Sequence, residues 1–182
     1  MWPDYAELHC LSAFSFQRGA STPDELFDRA KALGYRALAI TDECSLAGIV
    51  RAFEASRRTG VPLIIGSELC IEDGTRLVLL VADASGYVDL CHLITTARRR
   101  ASKGQYRACI EDVQALGDGI RLLWLPPAQT SDELMPPMWL QEFAAAHVWM
   151  ALECHHGTDD AARLAHLRQC AKIGRASCRE RV

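Results

Sequence analysis

The stretch that most constrains the fold is residues 37–53, ALAITDECSLAGIVRAF. Ala37, Leu38, Ala39 and Ile40 form an apolar run long enough for one buried strand. Thr41, Asp42 and Glu43 follow without a spacer. Ser45 can then cap a helix whose apolar residues Leu46, Ile49, Val50 and Phe53 recur at helical spacing. A buried strand leading through a carboxylate-bearing turn into a helix is the repeating unit of parallel α/β folds. In such folds ligands bind at the carboxyl ends of the strands. An isolated Asp-Glu pair can equally solvate a turn, so the rest of the chain must supply the other half of a site.

The remaining pattern repeats that unit. Residues 5–10 read as a first strand ending at His9. A loop with Ser12, Ser15, Arg18 and Gly19 follows. Ser21 or Thr22 then caps a helix with Pro23 at its first position, Leu26, Phe27, Ala30 and Leu33 on its inner face, and Gly34 at its end. The helix after residue 45 stops at Gly60. Residues 62–71 predict a third strand, interrupted by Gly66, with Glu68 beyond the break, either as a ligand or as a residue facing water. Asp73 and Gly74 turn it tightly into a strand at 76–81. After a turn at 84–86 come a helix at 87–99, a polar loop to residue 107, and a short helix marked by Ile110, Val113 and Leu116. A strand at 120–125, a helix at 135–146, a strand at 148–152 and a helix at 159–171 complete the chain. Strands and helices mostly alternate, which predicts parallel strands with helical crossovers. The strands are apolar throughout, as strands covered on both faces should be. This α/β pattern fits an open doubly wound sheet or part of a β/α barrel.

The 182 residues suffice for one domain with a real core. With 49% hydrophobic and 24% charged residues, they have the mix of a soluble globular protein. No apolar run approaches the roughly 20 residues of a membrane helix, and the start lacks the pattern of a secretory signal. A cytoplasmic location without a membrane partner is expected. The eight cysteines contain no CxxC and read as buried thiols. Residues 172–182 have no apolar periodicity and read as a vector-derived or mis-sequenced tail after a domain at 1–171. The whole chain carries a net charge of −3. Setting aside the tail's four basic side chains and one acidic side chain leaves 16 basic against 22 acidic, a net of −6. That balance excludes a domain that holds nucleic acid by itself. The run Arg98, Arg99, Arg100 and Lys103 complements the dipole of a helix end. Neither GxGxxG, a P-loop lysine nor GxSxG occurs.

Four strand ends carry candidate ligands: His9; Asp42 with Glu43; Glu68; and Glu153 with His155 or His156. Nitrogen and carboxylate donors in that mixture suit zinc, manganese or iron. A metal held there would acidify bound water and polarise a phosphoryl oxygen.

The segments YAELHCLSAFSFQRGAS, ALGYRALAITDECSLAGIVRA, PLIIGSELCIEDGTRLVLLVAD and GYVDLCHLITTARRR carry a resemblance. From residue 5 to about residue 171, the chain resembles the N-terminal PHP domain of bacterial error-prone DNA polymerase, in the DNA polymerase III alpha subunit family. The resemblance implies a distorted β/α barrel, here incomplete at its carboxyl end. In active members, metals at the strand ends hydrolyse phosphoesters. Their HxHS motif corresponds here to His9-Cys10-Leu11-Ser12, with leucine at the second histidine. Their TDH motif corresponds to Thr41-Asp42-Glu43, with glutamate at the histidine. Their GxE motif is kept as Gly66-Ser67-Glu68. A later histidine corresponds to His155 or His156, and the final DxH motif would fall beyond residue 171, where none occurs.

The resemblance therefore implies a degenerate site of His9, Asp42, Glu43, Glu68, His155 and His156, able to hold at most one weakly bound Zn or Mn ion. It implies that the polymerase's aspartates and their Mg lie in a later palm domain outside these residues. It further implies a structural, docking role, with the remaining polymerase domains as partners, DNA reached only through them, and other mutagenesis or replisome proteins as further partners. The alternatives are a metal-dependent phosphoesterase or 3′–5′ exonuclease, and a stand-alone histidinol phosphatase. A barrel closing through a seventh strand would leave an isolated chain ending near residue 171 with unpaired, aggregation-prone edges.

Overall fold

A computed structural model describes residues 5–127, 136–142, 148–153, 160–173 and 177–179. The described strands are β1 (Ala6–Glu7), β2 (Ala37–Ile40), β3 (Leu63–Cys70), β4 (Arg76–Val81), β5 (Ile120–Leu125), β6 (Val148–Ala151) and β7 (Ser177–Arg179). The described helices are α1 (Pro23–Ala32), α2 (Ile49–Thr59), α3 (Ala84–Arg99), α4 (Ile110–Gln114), α5 (Met138–Glu142) and α6 (Asp160–Ile173). The strands form one sheet in sequence order. Neighbours are parallel except around β4, which runs antiparallel to both β3 and β5. The Asp73-Gly74 turn accounts for the first reversal. The second departs from the expected run of parallel crossovers: α3 and α4 carry the chain back to the edge of β4, and β5 starts opposite the end of β4, with Val81 facing Ile120.

The sheet curls around its own inner core, a half-barrel with helices outside. Alternation along each strand puts successive side chains on opposite faces. Val78 and Leu80 of β4, and Leu123 and Leu125 of β5, point inward to meet Ala39 and, from the rim, Leu8, Ile64 and Trp149. Leu77, Leu79, Leu122 and Trp124 point outward under α3, with Leu90 and Leu93. A separate outer cluster joins Leu38 and Ile40 to Phe27 of α1 and to Ile49, Ala52 and Ala55 of α2. Both faces are covered, which is why the strands read as apolar throughout.

Four local expectations are corrected. The helix after β2 begins at Ile49 with Gly48 as its cap, because Cys44 takes a left-handed turn (φ 44°) and the Ser45 amide donates to Ser67 Oγ. Its buried face is Ile49, Ala52, Ala55 and Thr59, while Val50 and Phe53 lie exposed. Small alanines let α2 approach its neighbours closely, and they prevail over the larger apolar stripe. Residues 84–86 are not a turn but the first turn of α3, capped by Asp83, whose Oδ1 accepts from the Gly86 amide at 3.0 Å. The capping box of α1, by contrast, is Thr22 with Glu25, with Pro23 at the first position. Cys10, Cys44, Cys70, Cys91 and Cys109 are free thiols, but of these five Cys44 alone is buried and Cys70 is exposed.

Gly66 does not interrupt β3. The strand is continuous through it, pairing with β2 over residues 63–65 and with β4 over 66–70. Glycine is required for space: a Cβ there would lie 2.6 Å from the Leu79 carbonyl oxygen, 2.9 Å from Leu80 Cδ2 and 3.0 Å from Thr41 Cγ2. Gly66→Ala is therefore expected to destabilise the fold by about 2 kcal/mol through overpacking. Urea unfolding of the two proteins measures this.

Residues beyond 171, read above as a tail, contribute the end of α6 and the edge strand β7, which pairs with β6. No helix among the described residues is long and apolar enough to cross a membrane.

Candidate functional site

The strand ends expected to carry ligands converge at one mouth of the half-barrel. Glu68 lies two residues beyond Gly66 on the inward face of β3, 2% exposed, and not past a break in water. The line between β2 and β3 continues past the end of β2. The Glu68 amide donates to the Thr41 carbonyl (3.1 Å) and the Cys44 amide to the Glu68 carbonyl (2.9 Å). This register sets Asp42 and Glu43 beside Glu68.

His9 joins both edges of the mouth. Its Nε2 lies 2.8 Å from Glu68 Oε2 and its Nδ1 lies 2.6 Å from Glu153 Oε1, just past β6. Ionised carboxylates only accept hydrogen bonds, so with Glu68 and Glu153 both ionised the two ring nitrogens donate and His9 is held as an imidazolium. Burial alone would lower its pKa, but the bonds and charges of Glu153 and Glu68 outweigh burial and raise it above its ordinary value. A metal-ligating histidine must be neutral with a free lone pair, and His9 in this state offers none.

Asp42 is 1% exposed and points into the loop that follows β1. Its Oδ1 accepts from the Ser12 amide (2.8 Å) and Ser15 Oγ (2.6 Å), and its Oδ2 accepts from Ser12 Oγ (2.7 Å). Ser15 Oγ in turn accepts from the Glu43 amide at 3.0 Å. Gly19 closes the loop, its α-carbon so near the Ser12 carbonyl that a Cβ would sit 1.9 Å from that oxygen.

The loop so anchored delivers Arg18. One guanidinium nitrogen, Nη1, donates to Glu43 Oε2 at 2.7 Å, and the other, Nη2, to both oxygens of Glu68 at 3.0 Å. Arg76, at the start of β4, adds a bond to Glu68 Oε1 at 2.9 Å. Burial would raise the Glu68 carboxyl, but His9 and Arg76 overcome it and hold the pKa at about 2. Tyr106 donates to the other oxygen of Glu43 at 3.0 Å. Arg98 stacks on Tyr106, its carbon Cζ 5.3 Å from the ring centre, and donates to the Glu43 and Cys44 carbonyls. Arg100 pairs with Asp112. Two members of the basic run are thus held within the protein.

The structure brings together five of the sequence-identified residues, His9, Asp42, Glu43, Glu68 and Glu153. His155 and His156 lie outside the described residues. Reasoning from sequence did not assign roles to Arg18, Arg76 and Tyr106, and read Arg98 only as part of a basic helix end. The only available signal was the spacing of Ser12, Ser15 and Arg18 in one loop. Every side-chain oxygen of Asp42, Glu43 and Glu68 has a protein donor, and both His9 nitrogens carry protons. As arranged, this donor set does not fit a metal cluster, whose ligands must turn lone pairs toward the ions. Among the described residues, three potential ligands come within 4.8 Å of one another elsewhere, at Glu72, Cys109 and Glu111. That group is largely exposed, and Glu72 also pairs with Arg107.

A family model described as PHP domain matches residues 7–136. Error-prone DNA polymerase of Pseudomonas fluorescens is 59% identical over 171 residues, which cover 94% of this chain and 16% of that protein. The polymerase of the same description from Xanthomonas axonopodis pv. citri is 57% identical over 174 residues, 93% of this chain and 16% of that protein. The match lies in their N-terminal region, and this chain spans about a sixth of their length. Among solved structures, a Bifidobacterium adolescentis protein described as a metal-dependent phosphoesterase superposes with a TM-score of 0.66 at 16% identity, over 97% of this chain and 86% of that one. A Chromobacterium violaceum amidohydrolase with bound sulfate and no metal gives 0.62 at 19% identity, over 95% and 84%. These two likenesses show the shared fold.

Proposed function

The chain belongs to the PHP domain family, and from that premise we propose that it is the PHP part of an error-prone DNA polymerase. In this reading it serves as a structural and docking unit. The parent would add deoxynucleotides to a primer during lesion bypass and damage-induced mutagenesis, in the cytoplasm. The primer-extending chemistry and its Mg belong to other parts of such a protein. The remaining polymerase domains are this unit's first partners, and DNA is reached through them. Other mutagenesis or replisome proteins are further partners. The kinship with proteins bearing that description motivates the polymerase assignment.

One observation carries the structural role: the mouth of the half-barrel is tied up by its own ion pairs. Arg18, Arg76 and His9 satisfy Glu43, Glu68 and Glu153. Leu11, standing where active members have a histidine, offers no donor atom.

Glu68 and His9 keep positions that active members use, and the solved neighbours include a protein described as a metal-dependent phosphoesterase. Hydrolysis is therefore the competing reading. The test is release of nucleotides from the 3′ end of single-stranded DNA, and hydrolysis of a nitrophenyl phosphoester, with Mn or Zn supplied. The expected rate is the same for the wild type and His9→Ala and does not exceed the reaction without protein. Metal-dependent turnover lost in His9→Ala would establish the hydrolase instead.

A further inference from the structure

A divalent ion in a strand-end site does one thing that any cation of suitable reach can do: it holds together carboxylates that would otherwise repel. Arg18 makes that connection here. Glu43 follows β2 and Glu68 belongs to β3, so the two carboxylates approach from adjacent strands. The Arg18 guanidinium lies between them, at 2.7 Å from one and 3.0 Å from both oxygens of the other. It reaches them from a third element, the loop after β1. That loop is held by Asp42 through Ser12 and Ser15, and by the close packing of Gly19 on the Ser12 carbonyl. A planar fork with paired N–H groups suits such bidentate capture of a carboxylate.

We propose that Arg18 is the resident cation of this mouth, bridging Glu43 and Glu68 in place of a divalent ion, and that its removal opens a divalent-cation site at the same carboxylates. This rests on the structural reading of the mouth given above. Without the guanidinium, Glu43 and Glu68 face each other beside His9, with Glu153 on its far side. The carboxylate oxygens that the guanidinium releases suit Mn or Zn, while His9 and Arg76 keep their bonds to Glu68. Asp42 keeps its partners in Ser12 and Ser15 and continues to organise the loop.

The experiment measures Mn and Zn binding by calorimetry, and the melting temperature with each ion and with EDTA, on the full chain. The wild type is expected to show no saturable site in the micromolar range and the same melting temperature in ion and in EDTA. Arg18→Ala should melt roughly 5 °C lower in EDTA. It should bind one ion at least about tenfold more tightly than the wild type, and regain its melting temperature with it. Arg18→Ala combined with Glu68→Gln should lose that binding, which separates the mouth from Glu72, Cys109 and Glu111. Should Arg18→Ala fail to fold, Arg18→Gln is read in the same way. If the wild type binds one ion that Glu68→Gln removes, the structural reading itself falls. If the wild type binds none, and neither Arg18 variant is destabilised or responds to ions, only the role given to Arg18 falls.

Discussion

Asp42→Ala is expected to be the most damaging single substitution at the mouth, costing about 4 kcal/mol or preventing folding altogether. The residue is 1% exposed, and three donors converge on it from Ser12 and Ser15, themselves buried. Each buried donor left without an acceptor costs about 1–3 kcal/mol. Alanine supplies none. The loss spreads beyond the pocket, because the same loop positions Arg18. Asp42→Asn keeps the shape and one acceptor oxygen but turns an amide donor toward hydroxyl donors, so it should fall between alanine and wild type. Urea unfolding with a shared slope measures both. Asp28→Ala provides the contrast: it removes a solvent-exposed partner of Arg58 and should leave the midpoint almost unmoved. Equal midpoints for Asp42→Ala and Asp28→Ala would show that Asp42 does not anchor the loop.

The second large effect is at Glu68 and is read against pH. Burial acts to raise its pKa, but His9 and Arg76 hold it at about 2, below the ordinary 4.5. A carboxylate whose pKa is lowered by folding contributes stability that is fully present above pH 4.5 and is lost as the pH falls through about 2. The size of the shift corresponds to about 3 kcal/mol. His9 acts in the opposite sense. Burial is outweighed by its two carboxylates and its pKa lies above 6.5, so its contribution is present below pH 6.5 and disappears as the pH rises through the higher folded value. Stability should therefore form a plateau between these two losses. Glu68→Gln should lower the plateau by about 3–5 kcal/mol, because it leaves Arg18, Arg76 and His9 facing a neutral amide in a buried place. It should also flatten the acid limb between pH 4.5 and about 2. Denaturant midpoints across that range test this. An acid limb of unchanged steepness in Glu68→Gln would place the responsible carboxyl elsewhere.

Strands β2 to β6 were legible because each is a short, mostly apolar run bounded by turn residues, and that character required cover on both faces, whereas β7 (Ser177–Arg179) is no apolar run and fell in the stretch read as a tail. The capping box at Thr22 and Glu25 and the Asp73-Gly74 turn were legible because they are local chemistry, complete within a few residues. So were His9 and Asp42 as residues just past strands, and the leucine and glutamate standing at two histidine positions of the family pattern, whereas Glu68 lies within β3.

What needed the tertiary structure depends on the third dimension. A helical stripe of Leu46, Ile49, Val50 and Phe53 and another of Ile49, Ala52 and Ala55 are both plausible inner faces, and only the closeness of α1 and β2 selects the second. Gly66 reads as a break until Leu79 and Leu80 are seen across it. The partners of Asp42, Ser12 and Ser15, come into view only when the loop from residue 12 folds onto it. Arg18 and Arg76 lie 50 and 8 residues from Glu68 in the chain, and no spacing rule connects them. The sequence by itself determined which groups stand at the strand ends, since that follows from local pattern. Only the folded chain decided what satisfies them, since long charged side chains choose partners by the reach and direction that the surrounding loops and strands allow.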